Sequence, residues 1–169
     1  MCSVINNSES SLVVLGLGSN IGDSRSTILD AVKALENILM ELRCASIYET
    51  EPLYVTNQNR FINTAVMGYF QGTPQELLVR INSIESHFGR DRSKEQRWGS
   101  RSMDIDILLF GDLVIKEQDL EIPHPRLKER RFALEPLLEL LPDADEPGTD
   151  LSYQLVRKAL PDQGCKKLH

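Results

Sequence analysis

The sequence predicts an α+β domain: a split β-α-β antiparallel sheet with helices packed over one face and additions at the C-terminal end. Three observations carry this. Up to Phe110 the apolar stretches follow the order strand, helix, strand, strand, helix, strand. The two helical stretches repeat apolar residues every three to four positions, whereas the strand stretches are short and bounded by Gly or Pro. Finally, 169 residues with 41% apolar and 26% charged side chains suit one domain with a real core. Residues 1–169 are therefore read as a single domain, with 1–11 and 161–169 as flexible ends.

Leu12 to Leu17 reads as a buried first strand, ended by Gly16-Leu17-Gly18-Ser19-Asn20. The glycines permit close backbone approach or unusual dihedrals, but their spacing matches neither a dinucleotide fingerprint nor a Walker loop. Ser19 and Asn20 either complete a turn or shape a ligand site. Ser24 or Ser26 caps a helix carried by Ile28, Leu29, Val32, Leu35, Leu39 and Leu42, to about Glu41. Ala45 to Glu49 is a second strand, broken at Thr50-Glu51-Pro52-Leu53. Tyr54 to Arg60 is a polar loop in which Asn57, Gln58 and Asn59 could read a flat polar ligand. Phe61 to Phe70 is a third strand, on which Asn63 needs partners if buried. Thr73, Pro74 and Glu76 form a capping box for a helix through Leu77, Ile81, Ile84, Glu85 and Phe88, with Gly89 after it. Arg90 to Ser102 has no apolar period and is long enough to suggest a functional loop. After the strand Met103–Phe110, Leu113–Ile115 and Leu120–Ile122 read as short edge strands. Pro123-His124-Pro125 fixes the direction of His124. Leu127 to Leu141 reads as helix interrupted by Pro136, Asp143 to Asp150 as an acidic linker, and Leu151 to Leu160 as a terminal helix.

Composition narrows the function. No apolar run is long enough to cross a bilayer, and Met1 to Ser11 lacks the pattern of a secretory signal, so the cytoplasm is the expected compartment. Cys2, Cys44 and Cys165 are scattered, which argues against a disulfide framework or a zinc site. A net charge of -6 argues against an extended nucleic-acid surface. Basic residues nevertheless cluster at Arg90, Arg92, Lys94, Arg97 and Arg101, and again at Arg126, Lys128, Arg130 and Arg131. Local positive field in a negative protein suits a small polyanion.

The most informative stretch runs from Arg97 to Phe110. In a strand, side chains two apart share a face. Asp104 and Asp106 therefore point the same way, with Leu108 and Phe110 beyond them, while Ile105, Ile107 and Leu109 face the other side. Two buried carboxylates on one face repel each other and are costly to desolvate. Hard oxygen ligands at this spacing suit Mg2+, with phosphates completing its shell. Arginines match phosphate oxygens through planar forks. Together these are the parts used in phosphoryl transfer.

Four blocks carry a family resemblance: Arg97-Trp98-Gly99-Ser100-Arg101-Ser102-Met103-Asp104-Ile105-Asp106, Tyr48-Glu49-Thr50-Glu51-Pro52-Leu53, Phe61-Ile62-Asn63-Thr64-Ala65 and Ile122-Pro123-His124-Pro125-Arg126. With Leu17-Gly18-Ser19-Asn20 ahead of them, they make the chain resemble the 6-hydroxymethyl-7,8-dihydropterin pyrophosphokinases of folate biosynthesis, as far as about Leu138. The resemblance implies a ferredoxin-like fold with three mobile loops around the site. It implies transfer of the β,γ-diphosphate of ATP to the hydroxymethyl group of the reduced pterin, releasing AMP. Asp104 and Asp106 would bind two Mg2+ ions, and the hydroxyl proton would leave to Asp106 or by a metal-assisted route. Arg90, Arg92, Arg101 and Arg130 would meet the triphosphate or the closing loop, Arg97 and Trp98 would lie on that loop, and His124 would contact phosphate. Asp104, Asp106, Arg90, Arg92 and Arg101 would form the catalytic group. Thr50, Pro52, Leu53, Phe61, Asn63 and Phe132 would bind the pterin. Ser100 stands where Pro or Ala is common in the family, and Phe61 where some members have Tyr. The partners implied are small molecules acted on by a cytoplasmic monomer, without nucleic acid or membrane.

Overall fold

A computed structural model describes residues 10–52, 57–90 and 101–168. The main sheet uses β1 (Ser11–Ser19), β2 (Met40–Cys44), β3 (Tyr48–Thr50), β4 (Phe61–Phe70), β5 (Asp104–Phe110) and β8 (Lys166–Lys167). Its order is β5-β1-β4-β3-β8, with β2 also on β4, and every pairing is antiparallel. β6 (Ile115–Lys116) and β7 (Glu121–Ile122) form a hairpin of their own rather than edges of this sheet.

Helices cover both faces. α1 (Ser24–Leu35) and α2 (Pro74–His87) bring Ile28, Leu35, Leu77 and Ile81 onto Val13, Leu15, Ile105 and Ile107. The C-terminal additions supply the second layer, which the expectation of helices on one face did not include. α3 (Arg131–Leu140) and α4 (Tyr153–Ala159) fold over the opposite face, where Leu134, Leu137 and Tyr153 meet Val14, Ala65, Met67 and Leu108. β1, β4 and β5 thus lie between two apolar layers, and an alternating pattern with one solvated face is not expected of them.

Several boundaries differ from the sequence reading for local reasons. α1 starts after Asp23, whose carboxylate accepts from the Ser26 N–H at 3.1 Å and its hydroxyl at 2.8 Å, so Asp23 is the cap rather than either serine. α1 stops at Leu35, not near Glu41. Leu39 and Leu42 fill the same core from a turn and from β2, which imitates helical periodicity. The expected strand Ala45–Glu49 is strand only at Tyr48 and Glu49, which begin β3; β2 ends before it, and Ala45–Ile47 joins the two. α2 carries the expected capping box: Glu76 N–H donates to the Thr73 hydroxyl at 3.2 Å, and Thr73 N–H donates to the Glu76 carboxylate at 2.7 Å. Such a cap contributes about 1 kcal/mol. Pro136 lies inside α3 without breaking it. The sequence offers no element after Leu160, yet β8 pairs Tyr48 with Lys167 and Glu49 with Lys166.

β5 carries a register shift opposite Val14 and Leu15: Leu15 faces Ile107 and Val14 faces Leu109. Leu108 is the additional residue, as in a β-bulge. The shift reverses the alternation beyond it. Leu108 and Leu109 both pack toward α3, and Phe110 joins Ile105 and Ile107 under α1 and α2. Phe110 therefore does not share the Asp104–Asp106 face, as strict period-two alternation had predicted.

Tyr153 is fully buried against α3, and among the described residues its hydroxyl has no hydrogen-bond partner. Burial pushes its phenol well above the usual range. Tyr153→Phe removes an unpaired polar atom, so stability should be unchanged or raised by up to about 1 kcal/mol in urea unfolding. A loss of similar size would show that the hydroxyl has a partner.

Candidate active site

The site begins with two missing side chains. Gly16 and Gly18 lie within β1, not in the turn after it. Gly16 pairs with Asp106 on one side and Ala65 on the other; Gly18 pairs with Asp104 and Asn63. A Cβ on Gly16 would sit 3.3 Å from the Leu108 side chain, and one on Gly18 only 3.0 Å from Asn63 Oδ1. The glycines leave an open floor between the strand carboxylates and Asn63, and close approach, not backbone strain, is their role here.

Above this floor is a cleft with about 860 Å³ of empty volume, part of it open to solvent. Asp104, Asp106, Arg101 and His124 form one wall; Thr50, Phe61 and Asn63 form the other; Arg130 and Phe132 approach from the start of α3. Asn63 is buried and donates through Nδ2 to the Thr50 hydroxyl at 2.8 Å, which supplies the partner its strand position requires.

The two carboxylates are treated differently. Asp104, 18% exposed, is bracketed by guanidinium groups: Arg90 reaches Oδ1 at 2.6 Å, and Arg101 reaches Oδ2. Arg90, 7% exposed, also pairs with Glu85, which is 1% exposed. Glu85 Oε1 further accepts from the Ile105 N–H at 2.8 Å, so a helix carboxylate fixes the start of the edge strand β5. Asp106, 36% exposed, has weaker company. His124 Nε2 is 3.6 Å and Arg130 Nη1 is 3.9 Å from its Oδ2. Burial pushes the Asp106 carboxyl up to about 7, the Asp104 charge adds to this, and Arg130 and Arg101 oppose it.

His124 is set by its backbone. Its N–H donates to the Leu108 carbonyl at 3.0 Å, at the bulge. Its Nδ1 accepts from the Arg126 N–H at 3.1 Å, which leaves Nε2 as the donor facing the cleft. Burial, with the Arg130 charge, lowers His124 to about 4, so it is neutral near pH 7. Arg130 lies with its guanidinium carbon 5.4 Å from the Phe132 ring centre. Its Nε is buried without a partner among the described residues. An unsatisfied cationic donor beside a neutral imidazole donor fits phosphate oxygens.

The structure thus brings together Asp104, Asp106, Arg101, His124, Arg130, Thr50, Phe61, Asn63 and Phe132. Arg90 stands behind Asp104, outside the cleft lining, and Pro52 is also outside it. Arg92, Arg97, Trp98 and Leu53 lie outside the described residues. Of Asn57, Gln58 and Asn59, only Gln58 lines the cleft. Asn20 ties its rims together: Oδ1 accepts from the Arg101 N–H at 2.8 Å, and Nδ2 donates to Gln58 Oε1 and the Asn59 carbonyl, each at 3.2 Å. Ser19 is buried and bonds the Ser24 hydroxyl at the start of α1 instead. Sequence reasoning missed the role of Glu85, although a glutamate on the apolar stripe of α2, four residues after Ile81, was a visible signal. Among the described residues no three His, Cys, Asp or Glu side chains group to hold a metal. The two aspartates would supply only part of a shell, which suits Mg2+ completed by substrate phosphates and water.

A sequence model of the 7,8-dihydro-6-hydroxymethylpterin-pyrophosphokinase family matches residues 14–142. The chain belongs to that family. It is 43% identical over 136 residues to the 2-amino-4-hydroxy-6-hydroxymethyldihydropteridine pyrophosphokinase of Aquifex aeolicus, covering 80% of this chain and 83% of that protein. The Bacillus subtilis pyrophosphokinase is 39% identical over 140 residues, covering 82% and 83%. The mitochondrial folate synthesis bifunctional protein of Pisum sativum is 39% identical over 142 residues, covering 83% of this chain and 27% of that protein. The solved Plasmodium falciparum HPPK-DHPS with pteroate superposes with a TM-score of 0.72 at 16% identity, covering 94% of this chain and 48% of that one. That last likeness is one of fold. The pyrophosphokinase relatives of Aquifex and Bacillus are matched over most of their length, whereas the fused proteins continue well beyond this domain.

Within the family fold, Glu85 holds a buried cation and a strand amide at once. Glu85→Ala should destabilise the chain by about 3 kcal/mol, because it removes one partner of a buried ion pair. Urea midpoints check this, and a loss below about 1 kcal/mol would mean that Asp104 alone satisfies Arg90.

Proposed function

We propose that this chain transfers the β,γ-diphosphate of ATP to the hydroxymethyl group of 6-hydroxymethyl-7,8-dihydropterin, giving AMP and the pterin diphosphate. Family membership supports the reaction class and ATP as co-substrate. The observation that carries the reading at the level of residues is the unequal pair of carboxylates beside Arg130, whose Nε has no partner among the described residues, above the open floor left by Gly16 and Gly18.

Asp104 and Asp106 would hold two Mg2+ ions, which would neutralise the phosphate charge and offset the repulsion between the two carboxylates. The protein supplies position and charge, as phosphoryl transfer requires, and no nucleophile of its own. Arg101 and Arg90 pair with Asp104 and keep it aimed at the cleft. His124 offers Nε2–H to a phosphate oxygen, and Arg130 offers its fork, stacked on Phe132. The flat pterin takes the other end, between Phe61 and Phe132, with Asn63 and Thr50 at its polar edge. The pterin hydroxyl oxygen then attacks the β-phosphorus and gives up its proton to Asp106 or to solvent, the bond from that phosphorus to the α–β bridging oxygen breaks, and AMP leaves with the oxygen. The proposal extends to a cytoplasmic monomer that acts on small molecules alone.

Phosphorus NMR tests the reaction. The chain, ATP, Mg2+ and the reduced hydroxymethylpterin should yield AMP and a pterin diphosphate only when all four are present. ADP as the product would contradict the reading. Asp106→Ala should lower turnover by at least about 1,000-fold, as loss of a group aimed at transition-state charge does, with an unchanged circular dichroism spectrum. Near-normal turnover would remove Asp106 from the metal site.

A further inference from the structure

The family match ends at residue 142, yet the segment after α4 returns to the walls of the cleft. The side-chain amide of Gln163 straddles Arg130. Its Oε1 accepts from the Arg131 N–H at 2.9 Å, and its Nε2 donates to the Glu129 carbonyl at 2.8 Å. α3 needs this help, because Arg130 occupies its N-cap position in an extended conformation (φ -122°, ψ 105°) and provides no side-chain cap. Gln163 supplies from a distant segment an acceptor for the first amide of the helix, one of those with no partner inside it.

The segment is itself anchored. Arg131 Nη2 donates to the Leu160 carbonyl at 3.1 Å and the Arg157 carbonyl at 3.3 Å, while Glu135 pairs with both Arg131 and Arg157. Beyond Gln163, Gly164 adopts φ +63° and packs so closely on Glu51 that a Cβ would lie 3.1 Å from Glu51 Cγ. β8 then pairs with β3, and Leu168 N–H donates to the Ile47 carbonyl at 2.8 Å. One short segment therefore ties the start of α3, which carries Arg130 and Phe132, to the strand that carries Thr50.

We propose that Gln163 is a positioning residue for Arg130. It does not line the cleft. By holding the peptide groups on both sides of Arg130, it keeps the guanidinium over Phe132 and toward Asp106, so it acts on polyphosphate binding through Arg130. This rests on the reading that Arg130 meets the phosphates of ATP. Arginine is long, so a small rotation at its backbone moves the guanidinium out of reach, and sites of this kind tolerate only about 0.5 Å of misplacement.

The test is a double-mutant cycle on the full chain, read by calorimetric binding of α,β-methylene-ATP with Mg2+. Gln163→Leu keeps volume and removes both hydrogen bonds. It should weaken binding by about tenfold, the worth of one charge-assisted contact. In the Arg130→Met background the same change should add nothing. Wild-type affinity in Gln163→Leu, or losses that multiply in the double variant, would overturn the proposal, since a merely structural role would act in both backgrounds. Should Gln163→Leu fail to fold, Gln163→Glu keeps the acceptor for Arg131 and runs through the same cycle. Amide exchange at Arg131 should be faster in Gln163→Leu without any nucleotide present, and unchanged exchange would overturn the bracket. A wild-type chain that binds no nucleotide would contradict the pyrophosphokinase reading, while the exchange measurement would still decide the bracket.

Discussion

The repulsion between Asp104 and Asp106 is the constraint on which the rest of the site depends. Two carboxylates on one strand face cannot both be buried bare. The protein neutralises one of them itself, through Arg90 and Arg101. It leaves the other near a neutral His124 and a more distant Arg130. Burial, with the Asp104 charge added to it, raises the Asp106 carboxyl. A site finished with protein charges alone would have no affinity to spare for Mg2+, and a site with no internal cation would not hold the strand start. The division between the two residues would meet both demands.

That division is maintained from both faces of the sheet. From the α2 side, Glu85 holds Arg90 and the Ile105 amide, so the core under the helices sets the direction of Asp104. From the α3 side, the bulge at Leu108 coincides with the carbonyl that receives the His124 N–H. β1 contributes by omission, because Gly16 and Gly18 leave the space that a ligand needs. Packing and site geometry here are one problem: the residues that close the core also aim the polar groups.

Much of this was legible in the sequence because the signals were local. Period two placed Asp104 and Asp106 on one face, the Thr73–Glu76 box marked the start of α2, and Asn63 stood out as a polar residue on an apolar strand. What was missed depends on contacts distant in sequence. Leu39 and Leu42 look helical because turn and strand residues feed the same core as α1. Phe110 changed face because a bulge inserts a residue without any composition signature. The C-terminal additions covered the second face through Leu134, Leu137 and Tyr153, a pairing that periodicity cannot assign to a partner. Lys166 and Lys167 look like solvated charges and become a strand only because β3 offers an open edge.

The most direct test of the unequal carboxylate pair is a count of bound metal. Mn2+ can replace Mg2+ and be titrated into the chain with α,β-methylene-ATP, with free Mn2+ followed by electron paramagnetic resonance. The account predicts two Mn2+ per chain, and loss of tight Mn2+ binding in a folded Asp106→Asn variant. Full metal occupancy in that variant would contradict it, because the open carboxylate would then have no part in holding the metal.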